Sequence, residues 1–82
     1  MMSEVPRQLP WKRFVHVLQR LGYRQVKARR GSTRLFSHPS RNPSLISLHE
    51  PHPGDTIHPG TLHNFLQRLQ MSPEEFIELL RK

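Results

Sequence analysis

Histidine is the residue type in this chain best suited to proton transfer near neutral pH. Six of the 82 residues are histidine, and imidazole can donate or accept a proton there because its ordinary pKa lies close to neutrality. His49 ends an alternating segment and is expected on the face opposite Ile46 and Leu48. His16 and His63 lie within helical patterns and are interpreted as structural or surface groups. For any one histidine, a solvated or hydrogen-bonded side chain is the simpler interpretation.

A second group of polar side chains lies in and around the loop after residue 49. His49, His52, Asp55 and His58 are of types that bind zinc, nickel or manganese. Their spacing follows no recognised metal-binding pattern, and three prolines restrict the geometry of the loop. The chain has no cysteine, which excludes thiolate ligands and disulfides. The sequence therefore predicts no metal and no other cofactor.

The basic residues are concentrated in one part of the chain. Thirteen Lys and Arg residues oppose six Asp and Glu residues, for a formal net charge of +7. A run without any acidic residue contains Arg20, Arg24, Lys27, Arg29, Arg30, Arg34 and Arg41. Such a run attracts polyanions and indicates RNA or another nucleic acid as partner. The alternatives are a solvated basic surface and a face that docks on an acidic protein.

Short helices and strands are expected to position these side chains. Apolar residues at helical spacing predict helices at residues 10–21, at 61–70 and from 72 onward. Alternation and turn residues predict strands at residues 23–29, 33–38 and 45–49. Ser72 and Glu75 form the pattern of a capping box at the start of the last helix.

The order of these elements predicts one α+β domain. Residues 1–9 are expected to be a flexible lead-in, residues 10–82 the single domain, and residues 50–59 a loop. The order α-β-β-β-α(-α) is satisfied by a three-stranded antiparallel sheet with helices on one face, as in the double-stranded-RNA-binding fold. The other face of the sheet would be wet and basic. No secretory signal or long apolar run is visible, which predicts no membrane contact and a cytoplasmic location.

Several short motifs, in this order and at this chain length, resemble the HicA-type toxin family of bacterial toxin–antitoxin systems. The resemblance extends from Trp11 to about Leu80. Its landmarks are Leu21-Gly22-Tyr23, Gly31-Ser32, Phe36, His38-Pro39, His49, Gly60-Thr61-Leu62, Glu75-Phe76 and Leu79-Leu80. The resemblance implies a double-stranded-RNA-binding-like fold, cleavage of mRNA, and neutralisation by a HicB-type antitoxin.

The resemblance also assigns candidate site residues. The family's catalytic histidine follows Gly-Ser, and here that position is Thr33. A threonine hydroxyl needs an activating partner to act as a general acid or base. His49 is the candidate substitute, and His38 is a weaker one because its position in the strand should turn it away from Thr33. The predicted RNA contacts are Arg24, Lys27, Arg29, Arg30, Gly31, Ser32 and Arg34.

Two hypotheses follow from these residues. The first is a HicA-like toxin that binds mRNA and cleaves it as a metal-independent endoribonuclease, with another histidine in place of the missing one. The alternative is a non-catalytic RNA- or protein-binding module of the same fold. RNA and a HicB-type antitoxin protein are the partners expected under the first hypothesis.

Overall fold

The elements of the fold are given by a computed structural model, which describes residues 5–26 and 31–82. In chain order they are β1 (Leu9–Pro10), α1 (Trp11–Leu21), β2 (Arg24–Val26), β3 (Thr33–Ser37), β4 (Leu45–His49), β5 (Thr56–Ile57), α2 (Pro59–Arg68) and α3 (Pro73–Leu80). Strands β2, β3 and β4 form an antiparallel sheet in that spatial order. The predicted α+β fold with a three-stranded antiparallel sheet is confirmed.

Helix α1 begins at Trp11, one residue after the predicted start, and ends at Leu21 before a glycine, as its sequence predicts. Pro10 is the N-cap residue and has extended backbone angles. Gly22 ends the helix in the left-handed region, at φ 110°. Its N–H donates to the Gln19 carbonyl at 3.0 Å, and the Tyr23 N–H donates to the Leu18 carbonyl at 2.9 Å. These bonds satisfy carbonyls that the end of a helix leaves without intrahelical partners.

The pleat of the main sheet separates a covered face from an open face. Phe36 of β3 pairs with Ile46 of β4, and both are buried on the covered face together with Leu48. The Trp11 ring of α1 lies 6.1 Å from the Phe36 ring, so α1 packs on this face. Leu35 lies on the open face, because successive side chains of a strand alternate. The strand register thus decides that Phe36, and not the adjacent Leu35, faces the core.

Aromatic rings join the helices into one core. The Phe14 ring of α1 lies 5.4 Å from Phe65 of α2 and 6.0 Å from Phe76 of α3. Both Phe14 and Phe76 are fully buried. Such pairs contribute about 0.5–1.5 kcal/mol each beyond the burial of apolar area. The third helix is therefore a full part of the core.

The starts of α2 and α3 follow local capping rules. The predicted capping box is confirmed, because the Glu75 N–H donates to Ser72 Oγ at 3.1 Å and the Ser72 N–H donates to Glu75 Oε1 at 2.9 Å. Helix α2 begins at Pro59, two residues before the predicted start, since proline fits the first turn of a helix.

A second, two-stranded ladder lies outside the predicted elements. Leu9 of β1 pairs with Ile57 of β5, and both side chains are buried. The sequence analysis placed Leu9 in the lead-in and Ile57 in a loop, because two-residue strands are too short to show alternation. The ladder joins the segment before α1 to the segment that connects β4 to α2.

The first strand of the main sheet is described only at its start. Strand β2 covers Arg24–Val26 of the predicted segment 23–29, and residues 27–30 lie outside the described part of the chain. Tyr23, predicted to start that strand, is buried, and its hydroxyl donates to the Pro43 carbonyl at 2.7 Å. None of the described helices has the length and apolar character needed to span a membrane.

Candidate functional site

Thr33 and His49 face each other across strands β3 and β4. They are register partners at the edge where β3 begins and β4 ends. The Glu50 N–H donates to the Ser32 carbonyl at 2.8 Å, one residue beyond this pair, so Thr33 and His49 form a non-hydrogen-bonded pair. In such pairs the side chains approach closely, with about 4.5–5.5 Å between Cβ atoms. The register thus puts an imidazole directly beside Thr33 on the open face.

The hydroxyl of Ser32 contacts the His49 ring. Ser32 Oγ lies 2.9 Å from His49 Nε2 and 3.2 Å from Nδ1. A hydroxyl can donate to an unprotonated ring nitrogen or accept from a protonated one, so the contact suits both protonation states. The ring itself is exposed to solvent. Ser32 therefore orients an accessible imidazole.

Arg34 braces the turn that carries Ser32 and Thr33. Its Nε donates to Glu50 Oε1 at 2.8 Å, and its Nη1 donates to the carbonyls of Gly31 at 2.8 Å and Thr33 at 3.2 Å. Gly31 has φ 52°, a left-handed angle that glycine adopts without strain. Two nitrogens of Arg34 are thus hydrogen-bonded within the protein, although the sequence predicted this side chain as an RNA contact.

His38 lies just beyond β3 and is bonded to three backbone groups in two segments. Its Nδ1 accepts from the N–H groups of Ser40 at 3.1 Å and Arg41 at 2.8 Å, and its Nε2 lies 2.9 Å from the Leu21 carbonyl. Nδ1 therefore acts as acceptor and Nε2 as donor, which defines one neutral tautomer. The ring also packs edge-on against Tyr23, with centroids 4.9 Å apart. These contacts give His38 a structural role away from Thr33.

The open face of the sheet carries hydroxyl, aliphatic and basic side chains. Arg24 pairs with Ser37, which is four residues along β3 from Thr33 on the same face and so about 13 Å away. Leu35 and Leu45 also lie on this face, and Leu45 is 59% exposed. The described part of this face is therefore less basic than the sequence predicted. Lys27, Arg29 and Arg30 lie outside the described residues.

A cleft of about 320 Å³ lies next to the Thr33–His49 pair. It is lined by His49, Pro51, His52, Asp55, Thr56 and His58. These include all four residues that the sequence considered as metal ligands. Within residues 5–26 and 31–82, no three His, Asp or Glu side chains are grouped closely enough to hold a metal ion. The imidazoles surround the cleft and do not converge on one point.

A wider groove of about 670 Å³ continues from this cleft along α1. His52 and Asp55 line both cavities, and Trp11 and Val15 form part of the apolar wall of the groove. The cleft beside His49 and the groove along α1 are thus neighbours that share the side chains of the loop after β4.

The sequence of the chain matches one protein family. Residues 11–71 match the family described as the HicA toxin of bacterial toxin–antitoxin systems. The chain belongs to the HicA toxin family. Comparison with curated proteins and with solved structures gave no significant match.

The HicA match contains every residue of the Thr33–His49 site and of the adjoining cleft. It begins with α1, includes the main sheet, and ends three residues after α2. Helix α3 lies beyond it but joins the same core through Phe76. This HicA toxin has threonine at the position where the resemblance predicted histidine, and it has a histidine on the neighbouring strand.

The sequence analysis identified His49 as a candidate but missed its contact with Ser32 and the cleft that it shares with His58. The contact with Ser32 depends on strand register, which the sequence does not define. His58 was considered only as a metal ligand, although its place directly before Pro59-Gly60-Thr61 indicated that it precedes a helix. The short ladder at Ile57 could not be recognised from the pattern.

Proposed function

We propose that this HicA-family toxin binds mRNA and cleaves it, with His49 supplying the imidazole that position 33 lacks. The observation that carries the proposal is the cross-strand pair of Thr33 and His49. An imidazole at either position occupies nearly the same place above the open face. Ser32, at 2.9 Å from the ring, supports this role by orienting it.

The proposed reaction is an internal transfer of the RNA phosphodiester. His49 removes the proton from a ribose 2′-hydroxyl, and the 2′-oxygen forms a bond to phosphorus. The bond between phosphorus and the 5′-oxygen of the next nucleotide breaks, and that oxygen takes up a proton. The products are a 2′,3′-cyclic phosphate and a 5′-hydroxyl end.

Basic residues around the site would hold the RNA backbone. Arg24 lies exposed on the same face as Thr33, and Lys27, Arg29 and Arg30 follow it in the basic run of the sequence. Backbone N–H groups near Gly31 and Ser32 complete the proposed phosphate contacts, whereas Arg34 pairs with Leu48 on the covered face and braces the turn.

The proposed protein partner is a HicB-type antitoxin that covers the open face. The exposed Leu45 and the neighbouring Leu35 give this face apolar contact area, and the net charge of +7 favours an acidic partner. We place both activities in the cytoplasm, where mRNA is available. The antitoxin should block RNA binding; simultaneous binding of both at this face would contradict this part of the proposal.

A cleavage assay with a matched histidine control tests the proposal. The purified toxin is incubated with single-stranded RNA, with and without EDTA, and fragments are quantified. His49→Gln should lower the rate at least about 100-fold, the usual contribution of a general base, with little change in RNA affinity. His63→Gln, an exposed position in α2, should cleave like the parent. Equal cleavage by His49→Gln and the parent would refute the assignment.

A non-catalytic RNA-binding module is the second candidate. The threonine at position 33 favours it, because the family's catalytic histidine is expected there. RNA binding by the parent without any fragments, under the same conditions, would support this function.

A further inference from the structure

The cleft beside His49 holds a second imidazole that is placed for chemistry. His49 and His58 both line the cleft of about 320 Å³ and also a smaller, more apolar cavity of about 150 Å³ next to it. Ile57, Thr61 and Phe65 also line the smaller cavity. His52, in contrast, lines the larger cleft but not the smaller cavity. His58 is thus the histidine that shares both spaces with His49.

The backbone of His58 is fixed on both sides. It follows Ile57, which is buried and paired with Leu9, and it is the N-cap residue of α2. Its carbonyl accepts from the Leu62 N–H at 2.8 Å. The side chain makes no capping hydrogen bond and is exposed to solvent. The fold therefore anchors the residue while leaving the imidazole available to a ligand.

The titratable side chains of the cleft suit proton exchange with a bound substrate better than metal coordination. In the described part of the chain, the histidine and acidic side chains do not form a group close enough for metal coordination. The titratable side chains that share the cleft with His58 are His49, His52 and Asp55. A ribose–phosphate unit between His49 and His58 would meet one imidazole on each side.

We propose that His58 is the general acid that completes RNA cleavage, with His49 as the general base. This inference rests on the function proposed above. His49 takes the proton of the 2′-hydroxyl as the bond from the 2′-oxygen to phosphorus forms. His58 gives a proton to the 5′-oxygen as its bond to phosphorus breaks. One proton enters the protein and one leaves it, and water restores both histidines afterwards.

The pH dependence of single-turnover cleavage separates the two roles. The parent should show a bell-shaped profile, because the base must be unprotonated and the acid protonated. His58→Gln should lower the rate roughly 100-fold or more and remove the alkaline limb, whereas His49→Gln removes the acid limb. RNA affinity, measured with an oligonucleotide that lacks the reacting 2′-hydroxyl, should stay within about twofold, well below one kcal/mol. His63→Gln, on the same helix, is the control.

Two results would overturn the role of His58. If His58→Gln retains the rate and both limbs while His49→Gln loses activity, the proposed function stands and this inference fails. The same holds if His52→Gln, and not His58→Gln, removes the alkaline limb. If the parent cleaves no RNA under these conditions, the proposed function fails and the role of His58 fails with it.

Discussion

At the scale of single residues, the site depends on which of two paired positions carries the imidazole. Thr33 and His49 are opposite each other across β3 and β4, and Cβ atoms in such pairs are about 4.5–5.5 Å apart. The proposed function rests on this pairing, because it requires an imidazole on β4 to act beside the position after Gly31-Ser32, where the resemblance predicts histidine.

Thr33→His tests whether the scaffold still positions an RNA phosphate at position 33. In a His49→Gln background we expect Thr33→His to restore cleavage, because general acid–base catalysis is worth roughly 100- to 10,000-fold in rate, and the activity should vary with pH as histidine titrates. Ser37→His in the same background is the matched control, since it adds an imidazole to the same face at the other end of β3. A folded, RNA-binding Thr33→His/His49→Gln variant without any gain would contradict the equivalence of the two paired positions.

Tyr23 links the turn after β3 to the pH dependence of stability. Burial raises the pKa of its hydroxyl, and the nearby Arg41 opposes part of that increase. The folded state therefore holds this proton more tightly than the unfolded state, whose tyrosine pKa is about 10. Below that pH the protonated hydroxyl contributes fully to the free energy of unfolding. This contribution is lost as pH rises through and above about 10.

Tyr23→Phe should reveal this loss through the difference in unfolding free energy between the parent and the variant. Near neutral pH the variant should be less stable by about 0.5–1.5 kcal/mol, because it lacks the hydrogen bond to Pro43. Above about pH 10, urea unfolding should show the gap between parent and variant shrinking. A gap that stays constant up to strongly alkaline pH would contradict the assignment.

Sequence reasoning found the candidate residues but not their partners. The alternation around Ile46 and Leu48 correctly predicted which face His49 occupies. The partner of His49 depends on the length and bonding of the turn between β3 and β4, where the His38 N–H donates to the Ser44 carbonyl at 2.8 Å. Such tertiary register is not contained in local periodicity.

At the scale of elements, the end of α1 is locked to the turn after β3. A Cβ at Gly22 would lie 2.5 Å from His38 Nε2, the same atom that contacts the Leu21 carbonyl. The His38 ring thus occupies the space that a side chain at position 22 would need. The sequence predicted the helix end at Gly22 but gave no indication of this contact.

Gly22→Ala should destabilise the protein for two reasons. A left-handed angle costs a residue with a side chain roughly 1–2 kcal/mol, and displacement of His38 adds about 1–3 kcal/mol of overpacking. Gly54→Ala is the control, because Gly54 has φ 88° and its Cβ would meet no atom within 4 Å. Urea unfolding should show the larger loss for Gly22→Ala, and the excess should shrink in a His38→Ala background. Equal losses for both alanine variants would contradict the contact.

The helices were easier to predict than the short strands for a physical reason. Helices α1, α2 and α3 repeat their apolar contacts over two or more turns, so the spacing is visible in the sequence. Strands β1 and β5 have two residues each, and their pairing is fixed only by burial of Leu9 and Ile57 in the completed core. This ladder positions His58, and so part of the candidate site could not be predicted.

At the scale of the whole molecule, charge is distributed unevenly. The acidic residues Glu74, Glu75 and Glu78 lie in α3. The run of basic residues without any acidic residue extends from Arg20 to Arg41. Arg24 lies on the open face. Arg68 lies in the last turn of α2, where its positive charge also complements the helix dipole. The net charge of +7 should attract RNA to the molecule, and contacts on the open face should decide where it binds.

The salt dependence of RNA binding tests whether the open face contacts RNA phosphates. With about three to five phosphate contacts, the slope of log affinity against log salt should be about −2 to −4.5. Arg24→Gln should reduce the magnitude of that slope by about one, because one phosphate contact is lost. Arg68→Gln removes the same charge from an exposed position on α2 and should lower affinity slightly without changing the slope. Since both variants have the same net charge, fluorescence anisotropy titrations over a range of salt separate a local contact from a general attraction. Equal slopes for Arg24→Gln and Arg68→Gln would remove the open face from the RNA interface.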